Sequence, residues 1–570
     1  MQRFLQDCTR TMSGSKPQES GSVRIGHSLN KNEEEFVDNR RKDVLQSLKK
    51  VKIHCSENEV PNIALLGSGG GERAMVGLLG SLDQLQKAGL LDCVLYLSGV
   101  SGSTWCMASL YQESDWSTKL ETVEDKIIQR LSGPAVSWGD AYDKLKKYYH
   151  KDIFSLTDVW ATMFITNYVK EIDEHTLSDQ WDQKSKDPFP IYTAIDKQCK
   201  QNKDGDPWFE FTPYEAGYSL TGAFVETSNF GSKFENGCKI KNQPEIDMLY
   251  LQALCGSVLA DGDEDKKFLW ERIKDFFHNF LLKSETGMFE EMSKEDKCHQ
   301  VLMDLVDMNL SVLNGIDPSA LDESIRTKLN EISEGKYQLS FQKKKLNLTD
   351  KEAAKQYMKQ YTEDVCNDLS RCCNFWPFSD LWKSIFDCMA QWIWGRKYDF
   401  LHNMKDEDVP STLLKSETRD YEDGGLLLNS PYFSVLREER DIDLIISLDF
   451  SDDNDPFTTV REAAETCKKL KIRFPEVNIP NKDIIKPKDF YVFNGQNTPT
   501  VIHIPLFNVV NCGGDIEEWR KKYHTFQGPY SAEMITDLME IAGKNITNNK
   551  ANLVKQIRQA VRPKKTQNNE

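Results

Sequence analysis

The chain lacks any uninterrupted apolar run approaching about 18 residues, the length a helix needs to cross a bilayer, so no transmembrane helix is expected. It lacks a cationic excess as well: 72 Lys and Arg against 89 Asp and Glu leave a formal net charge of −17. A nucleic-acid partner, which is held through a dense basic surface, is therefore not expected. The 14 cysteines never form a Cys-x-x-Cys pair, and Asp261, Asp263, Glu264 and Asp265 cluster without the spacing of an EF-hand loop. No metal and no cofactor is expected. Irregular cysteine spacing, the adjacent Cys372 and Cys373, and an opening (MQRFLQDCTR) without signal-peptide character fit reduced thiols in the cytosol. A Met-Gly start and a closing Cys-a-a-X box are both missing, so neither lipid anchor is expected.

What is present suffices for a large core: 39% hydrophobic residues and 12 tryptophans in 570 residues, in one elaborate domain or two. Residues 1–35 are polar and read as a mobile tail. An amphipathic helix follows from Glu33 to Leu48, and Lys49, Lys50 and Lys52 read as its solvated end.

The chain is organised around residues 61–106. Two buried strands, Asn62 to Leu66 and Cys93 to Leu97, each run into a glycine-rich turn that opens a helix. After the first come Gly67-Ser68-Gly69-Gly70-Gly71, then Met75, Leu78, Leu79 and Leu82 at helical spacing. After the second, Gly99-Val100-Ser101-Gly102-Ser103 places Ser101 on a sharp strand-to-helix turn, the geometry of a nucleophile elbow. A serine that attacks an ester creates an oxyanion, and a bare glycine loop offers N–H groups to hold it. The reading is an acyl hydrolase with Ser101 as nucleophile and the N–H groups of Gly70 and Gly71 as oxyanion hole. A Rossmann loop is disfavoured, because Gly-x-Gly-x-x-Glu lacks the third glycine, and no Gly-Lys-Ser/Thr follows to make a P-loop.

The stretches GSGGGERAMVGLLG and SGVSGSTW together resemble the cytosolic (group IV) phospholipase A2 family, and most closely its gamma-type members without a C2 domain. The resemblance continues through Trp208 to Tyr214, Gly222 to Val225 and Asn229 to Phe234, and again from Val501 to Asp515. It implies an α/β, patatin-like catalytic domain over 36–550: a central mixed sheet flanked by helices, with a largely helical cap insertion at roughly 263–399 and a basic tail at 551–570. It also implies a Ser/Asp dyad, with Gly69 and Gly102 supporting the loops and Arg73 near the substrate phosphate. Glu72, where the family usually has an apolar or aromatic residue, would pair with Arg73 and weaken that grip.

None of the nine histidines falls in a triad-like motif. Asp423-Gly424-Gly425 is by composition a turn, but it follows the serine elbow in the family's order and precedes Asn429-Ser430-Pro431-Tyr432 and an apolar strand. By resemblance Asp423 is the base and Arg440 a supporting arginine; the alternative for Arg440 is an exposed surface residue. A carboxylate base must be partly desolvated to lift its pKa from near about 3.9.

Within the insertion, Lys343 to Lys345 form a basic run. Leu381, Ile385, Met389 and Ile393, with Trp382 and Phe386, form a stripe that either meets lipid or, as such stripes more often do, packs inward. The expected activity is calcium-independent hydrolysis of the sn-2 ester of glycerophospholipids, with lysophospholipase or transacylase action from the same site. Calcium independence is expected because no room is seen for a C2 domain. The expected partner is a phospholipid membrane surface, bound reversibly from the cytoplasm, without an obligate protein partner. A broad lysophospholipid acyl hydrolase and a catalytically weak lipid-binding protein are the alternatives.

Overall fold

Strand β2 (Ile63–Gly67) is buried at all five positions, as is β3 (Tyr96–Gly99) at all four. Continuous burial is what a strand covered on both faces by helices requires. In the computed structural model, which describes residues 23–261, 294–313, 315–335, 348–372, 380–525 and 527–563, these strands lie at the centre of a mixed sheet. Its parallel core runs β4 (Phe189–Asp196), β3, β2, β12 (Leu444–Asp449), β14 (Thr500–Pro505). An antiparallel meander of β5 (Trp208–Phe211), β6 (Glu215–Tyr218) and β7 (Ala223–Glu226) continues from β4, and β1 (Arg24–Ile25) closes that edge. At the other edge β13 (Tyr491–Phe493) lies antiparallel on β14.

Because β2, β3, β12 and β14 all run the same way, their carboxyl ends share one end of the sheet, where ligands of open α/β sheets are held. Both glycine-rich turns leave the sheet there. Helix α1 (Lys31–Lys50) is capped by Asn30, whose side chain accepts from Asn32 N, with Glu33 and Glu34 in its first turn and exposed Lys49 and Lys50 in its last. That arrangement suits the helix dipole and accounts for the lysines as a solvated end. Helices α2 (Glu72–Lys87) and α3 (Gly102–Tyr111) start at the two turns.

The chain divides into two units: one of residues 1–136, 165–258 and 397–570, which holds the sheet, and one of residues 137–164 and 259–396. Among its described residues the second is helical, with α5 (Lys294–Leu313), α6 (Ser319–Ile332), α7 (Lys351–Cys372) and α8 (Asp380–Gln391). Inside it Tyr361 donates to Asp322 at 2.7 Å, and Asn309 to Thr362 at 3.2 Å. Leu381, Ile385, Phe386 and Met389 are buried, so the stripe packs inward. It stops short of Ile393, because α8 ends at Gln391 and Trp392 takes φ 55°.

Two expectations need correction, that of the polar tail and that of the thiols. The stretch to residue 35 read as a polar tail contains β1 and the start of α1. The basic helix read near the C-terminus is present as α11 (Lys550–Ala560), which buries Leu553 and Ile557; Arg562 then bonds Asp443 at 2.7 Å. The thiols are not uniformly reduced: nine described cysteines are free, while Cys238 and Cys298 each take part in a disulfide. Asp263, Glu264, Asp265, Lys343 to Lys345 and the side chain of Trp382 lie outside what the structure describes.

Candidate active site

Ser101 follows β3 with φ 51° and ψ −126° and is 5% exposed. A non-glycine residue in this region is strained, and the strain persists because neighbours over-determine the turn. Ser103 Oγ donates to Ser68 O at 2.6 Å, Thr104 N donates to Ser101 O at 2.9 Å, and Val100 N donates to Gly67 O at 3.1 Å. The two turns also touch backbone to backbone. A Cβ at Gly102 would lie 1.8 Å from the Gly71 carbonyl oxygen, so no side chain fits there.

The glycine loop offers its donors to the same space. Gly70 has φ 147° and Gly71 φ 57°. Gly69 N donates to Asn429 O at 3.2 Å, whereas the N–H groups of Gly70 and Gly71 have no acceptor among the described residues. Unspent backbone donors near a helix N-terminus are what an oxyanion hole requires.

Asp423 reaches the elbow through strand β11 (Thr418–Asp423), and strand register explains how. On β4, Tyr192 pairs with Gly99 of β3, while Ala194 pairs with Asp423 and Asp196 with Tyr421 of β11. Since β5 occupies the opposite edge of β4 at residues 192–195, β3 and β11 share one edge and meet end to end beside Thr193. Thr193 Oγ1 donates to Gly99 O at 2.8 Å and seals the gap. Two strands thus deliver a serine and an aspartate from opposite directions to one point.

The Asp423 side chain is fully buried. Its Oδ1 accepts from Gly425 N at 2.8 Å, and its backbone N donates to Ser257 Oγ at 3.2 Å. Burial lifts the carboxyl to about 7; the Gly425 N–H and the Ser101 hydroxyl act against that rise by favouring the ionised form. Oδ2 has no well-formed hydrogen bond among the described residues. The Ser101 hydroxyl therefore influences Asp423 without a tight bond in the free protein, and such contacts commonly tighten only with substrate bound. On the same strand, buried Glu422 lies 2.7 Å from Lys200 Nζ.

Arg73 is held by the protein's own acceptors. It is 1% exposed, and its guanidinium donates to Phe450 O at 2.6 Å, Asp452 at 3.0 Å, Tyr523 O at 2.6 Å and Thr525 Oγ1 at 3.2 Å. A cation so engaged also abuts the glycine loop, its Nη2 lying 2.9 Å from where a Cβ on Gly70 would sit. Glu72 does not pair with Arg73: both Glu72 carboxylate oxygens accept from Tyr530 N, at 3.2 and 3.0 Å, and burial lifts that carboxyl to about 8. Arg440 is neither exposed nor at the dyad. It is buried between Glu33 and Glu210, at 2.9 and 2.8 Å, and also donates to Ser434 O. Its support is to the packing of α1 against the sheet.

Sequence reasoning missed Asn429, Ser257 and Thr193 as parts of the site. For Asn429 a signal existed: an amide six residues after Asp423, in the same Asp-Gly-Gly segment. Among the described residues no histidine takes the base position. His503 is buried and bonds Pro456 O at 2.8 Å through Nε2, and its own burial holds its pKa down.

Residues 63–259 match the family model described as lysophospholipase catalytic domain. Cytosolic phospholipase A2 gamma of Mus musculus is 32% identical over 568 residues, covering 95% of this chain and 92% of that protein. The Homo sapiens gamma protein is 32% identical over 552 residues, covering 94% and 96% respectively. The fold is similar to that of human GIVD cytosolic phospholipase A2, with a TM-score of 0.65 at 21% identity, over 96% of this chain and 69% of that one. Sequence and fold together show that this chain belongs to the cytosolic phospholipase A2 family, as a phospholipase A2 hydrolase.

Proposed function

We propose that the chain hydrolyses the sn-2 acyl ester of glycerophospholipids through a Ser101/Asp423 dyad, without calcium, from the cytoplasm and in reversible contact with a membrane. The observation that carries this reading is a strained, buried serine beside a buried carboxyl lifted to about 7, with two unspent glycine N–H groups alongside.

Asp423 takes the proton of Ser101 as Oγ attacks the ester carbonyl. The carbonyl oxygen becomes an oxyanion held by the N–H groups of Gly70 and Gly71. The ester C–O bond then breaks, and the departing lysophospholipid oxygen receives the proton back from Asp423. Water, deprotonated by Asp423, attacks the acyl-Ser101 ester; as the bond to Ser101 Oγ breaks, Asp423 gives that proton to Oγ, and the fatty acid leaves. A lysophospholipid or alcohol in place of water gives transacylation. Each step is served by groups already named, so the chemistry calls for no calcium ion. Arg73 enters this reading as a prop of the oxyanion loop.

A second reading, hydrolysis of lysophospholipids by the same dyad, is favoured by the description of the matching family model. Release of labelled fatty acid from sn-2-labelled phosphatidylcholine vesicles in EGTA tests the first: activity in wild type that is lost in Ser101→Ala and Asp423→Asn supports it. Hydrolysis of lysophosphatidylcholine alone would favour the second.

A further inference from the structure

Among the described residues of the sheet-bearing unit, the exposed large apolar side chains are Ile240, Leu427, Leu470, Ile485 and Val510. Ile485, the last residue of the short helix Asn481–Ile485, is 79% exposed and Val510 51%, and the segments that carry them lie at the end of the sheet that carries Ser101. The topology fixes this. Val510 follows the carboxyl end of β14, which is parallel to β12, β2 and β3. Ile485 precedes β13, whose Tyr491 pairs with His503 near that same end of β14. The two segments are joined by Val509 N donating to Pro487 O at 2.9 Å. At about 5 Å per strand, β14 stands three strands, roughly 14 Å, from β3.

Side-chain amides pin the Val510 loop; three lysines flank Ile485 along the chain, while Asp515, Glu517 and Glu518 are exposed beyond Val510. Asn508 Oδ1 accepts from Val510 N and Asn511 N, both at 3.0 Å, and Asn508 Nδ2 donates to Asn545 at 2.8 Å. Lys482, Lys486 and Lys488 are exposed and make no ion pair among the described residues. The carboxylates nearest to them in sequence are occupied: Asp483 is buried, and Asp489 accepts from Asn549 at 2.8 Å.

We propose that Ile485 and Val510, with Lys482, Lys486 and Lys488 flanking Ile485, form a docking surface for an anionic phospholipid bilayer on the same side of the sheet as the nucleophile. This rests on the reading of the chain as an enzyme of phospholipid surfaces. Apolar side chains rimmed by lysine are the chemistry of interfacial binding. In a chain with a net charge of −17, contact with an anionic surface must come from such a local patch. Placement beside the catalytic end would turn Ser101 toward the lipid from which substrate is drawn.

Co-sedimentation of the full chain with vesicles of phosphatidylcholine and phosphatidylserine tests this, with thermal unfolding as a check of folding. Ile485→Asp/Val510→Asp should weaken partition by at least about tenfold. Replacing the three lysines by glutamine should weaken it by roughly fivefold each and flatten its salt dependence. Leu470→Asp, at a side chain that is 48% exposed near the opposite end of the sheet, should leave partition unchanged. Ser101→Ala should sediment as wild type does, so that failure of the hydrolase reading is separable from failure of this one. Wild-type partition in the Ile485/Val510 variant, or equal loss in Leu470→Asp, would overturn the proposal. A wild-type dimer broken by the Ile485/Val510 variant would instead assign the patch to a second copy of the chain.

Discussion

Asn429 and Gly69 clasp each other twice: Gly69 N donates to Asn429 O at 3.2 Å, and Asn429 Nδ2 donates to Gly69 O at 3.4 Å. Asn429 Oδ1 lies where a Cβ on Gly69 or Gly425 would sit, 2.3 and 2.9 Å from those positions. One amide therefore spans the oxyanion loop and the turn that holds Asp423. Asn429→Ala should lower kcat by roughly 100-fold, the usual effect of a reacting group displaced by about 1 Å, with KM nearly unchanged. A rise in KM alone would show that Asn429 binds substrate instead of aligning the loops.

Gly102 meets the Gly71 carbonyl so closely that the elbow and the oxyanion loop can move only together. Gly102→Ala must push them apart. Overpacking of this kind costs about 1–3 kcal/mol, and a donor drawn out of reach of the oxyanion slows turnover by roughly 100 to 1,000-fold. Thermal unfolding and steady-state kinetics on the same preparation read both effects. A variant of normal stability and normal kcat would show that the two turns are independent.

The two lifted carboxyls set opposite limbs of the pH profile. Asp423 must be ionised to act as base, so kcat/KM should fall as pH drops below about 7. Glu72 is neutral at pH 7, and above about 8 it places a negative charge at the start of α2, beside the oxyanion loop. Rate should then decline, and Glu72→Gln should remove the alkaline limb while keeping the acid one. Stability carries the same sign. The folded chain favours the neutral Glu72, so its contribution is complete below the ordinary carboxyl value of 4.5 and is lost as pH rises toward about 8. The loss is about 1.4 kcal/mol per pH unit. An alkaline limb that persists in Glu72→Gln would assign it to another group.

Arg73 separates a structural prop from a phosphate ligand. Replacement by Met leaves Asp452 and the carbonyls of Phe450 and Tyr523 without their donor. Breaking a buried charge pair in this way costs about 3–5 kcal/mol. A large fall in thermal stability is expected, with loss of kcat. Normal stability with a raised KM for phospholipid and unchanged hydrolysis of a phosphate-free ester would support the phosphate role.

The parts of this site legible in the sequence were those written in short local patterns. Ser101 between two glycines and the Gly69 to Gly71 run announce strained backbone, because few residues besides glycine tolerate it. Asp423 was legible through order along the chain and through resemblance, not through composition. The roles of Arg73, Glu72 and Arg440 were not legible, since a side chain's partners are set by tertiary packing. Tyr523 lies 450 residues from Arg73, Tyr530 lies 458 from Glu72, and Glu33 lies 407 from Arg440. The early start of the fold was missed for a similar reason: β1 is two residues long and exists only because β7 offers it an edge.

The dyad itself is tested most directly by covalent trapping. Wild type, Ser101→Ala and Asp423→Asn are treated with a fluorophosphonate, and the modified residue and the rate of labelling are read by peptide mass spectrometry. The account predicts phosphonylation of Ser101 in wild type, none in Ser101→Ala, and labelling slowed by roughly 100-fold or more in folded Asp423→Asn. Labelling of Ser101 at the wild-type rate in Asp423→Asn would contradict it, because the proton of Ser101 would then be leaving to some other base.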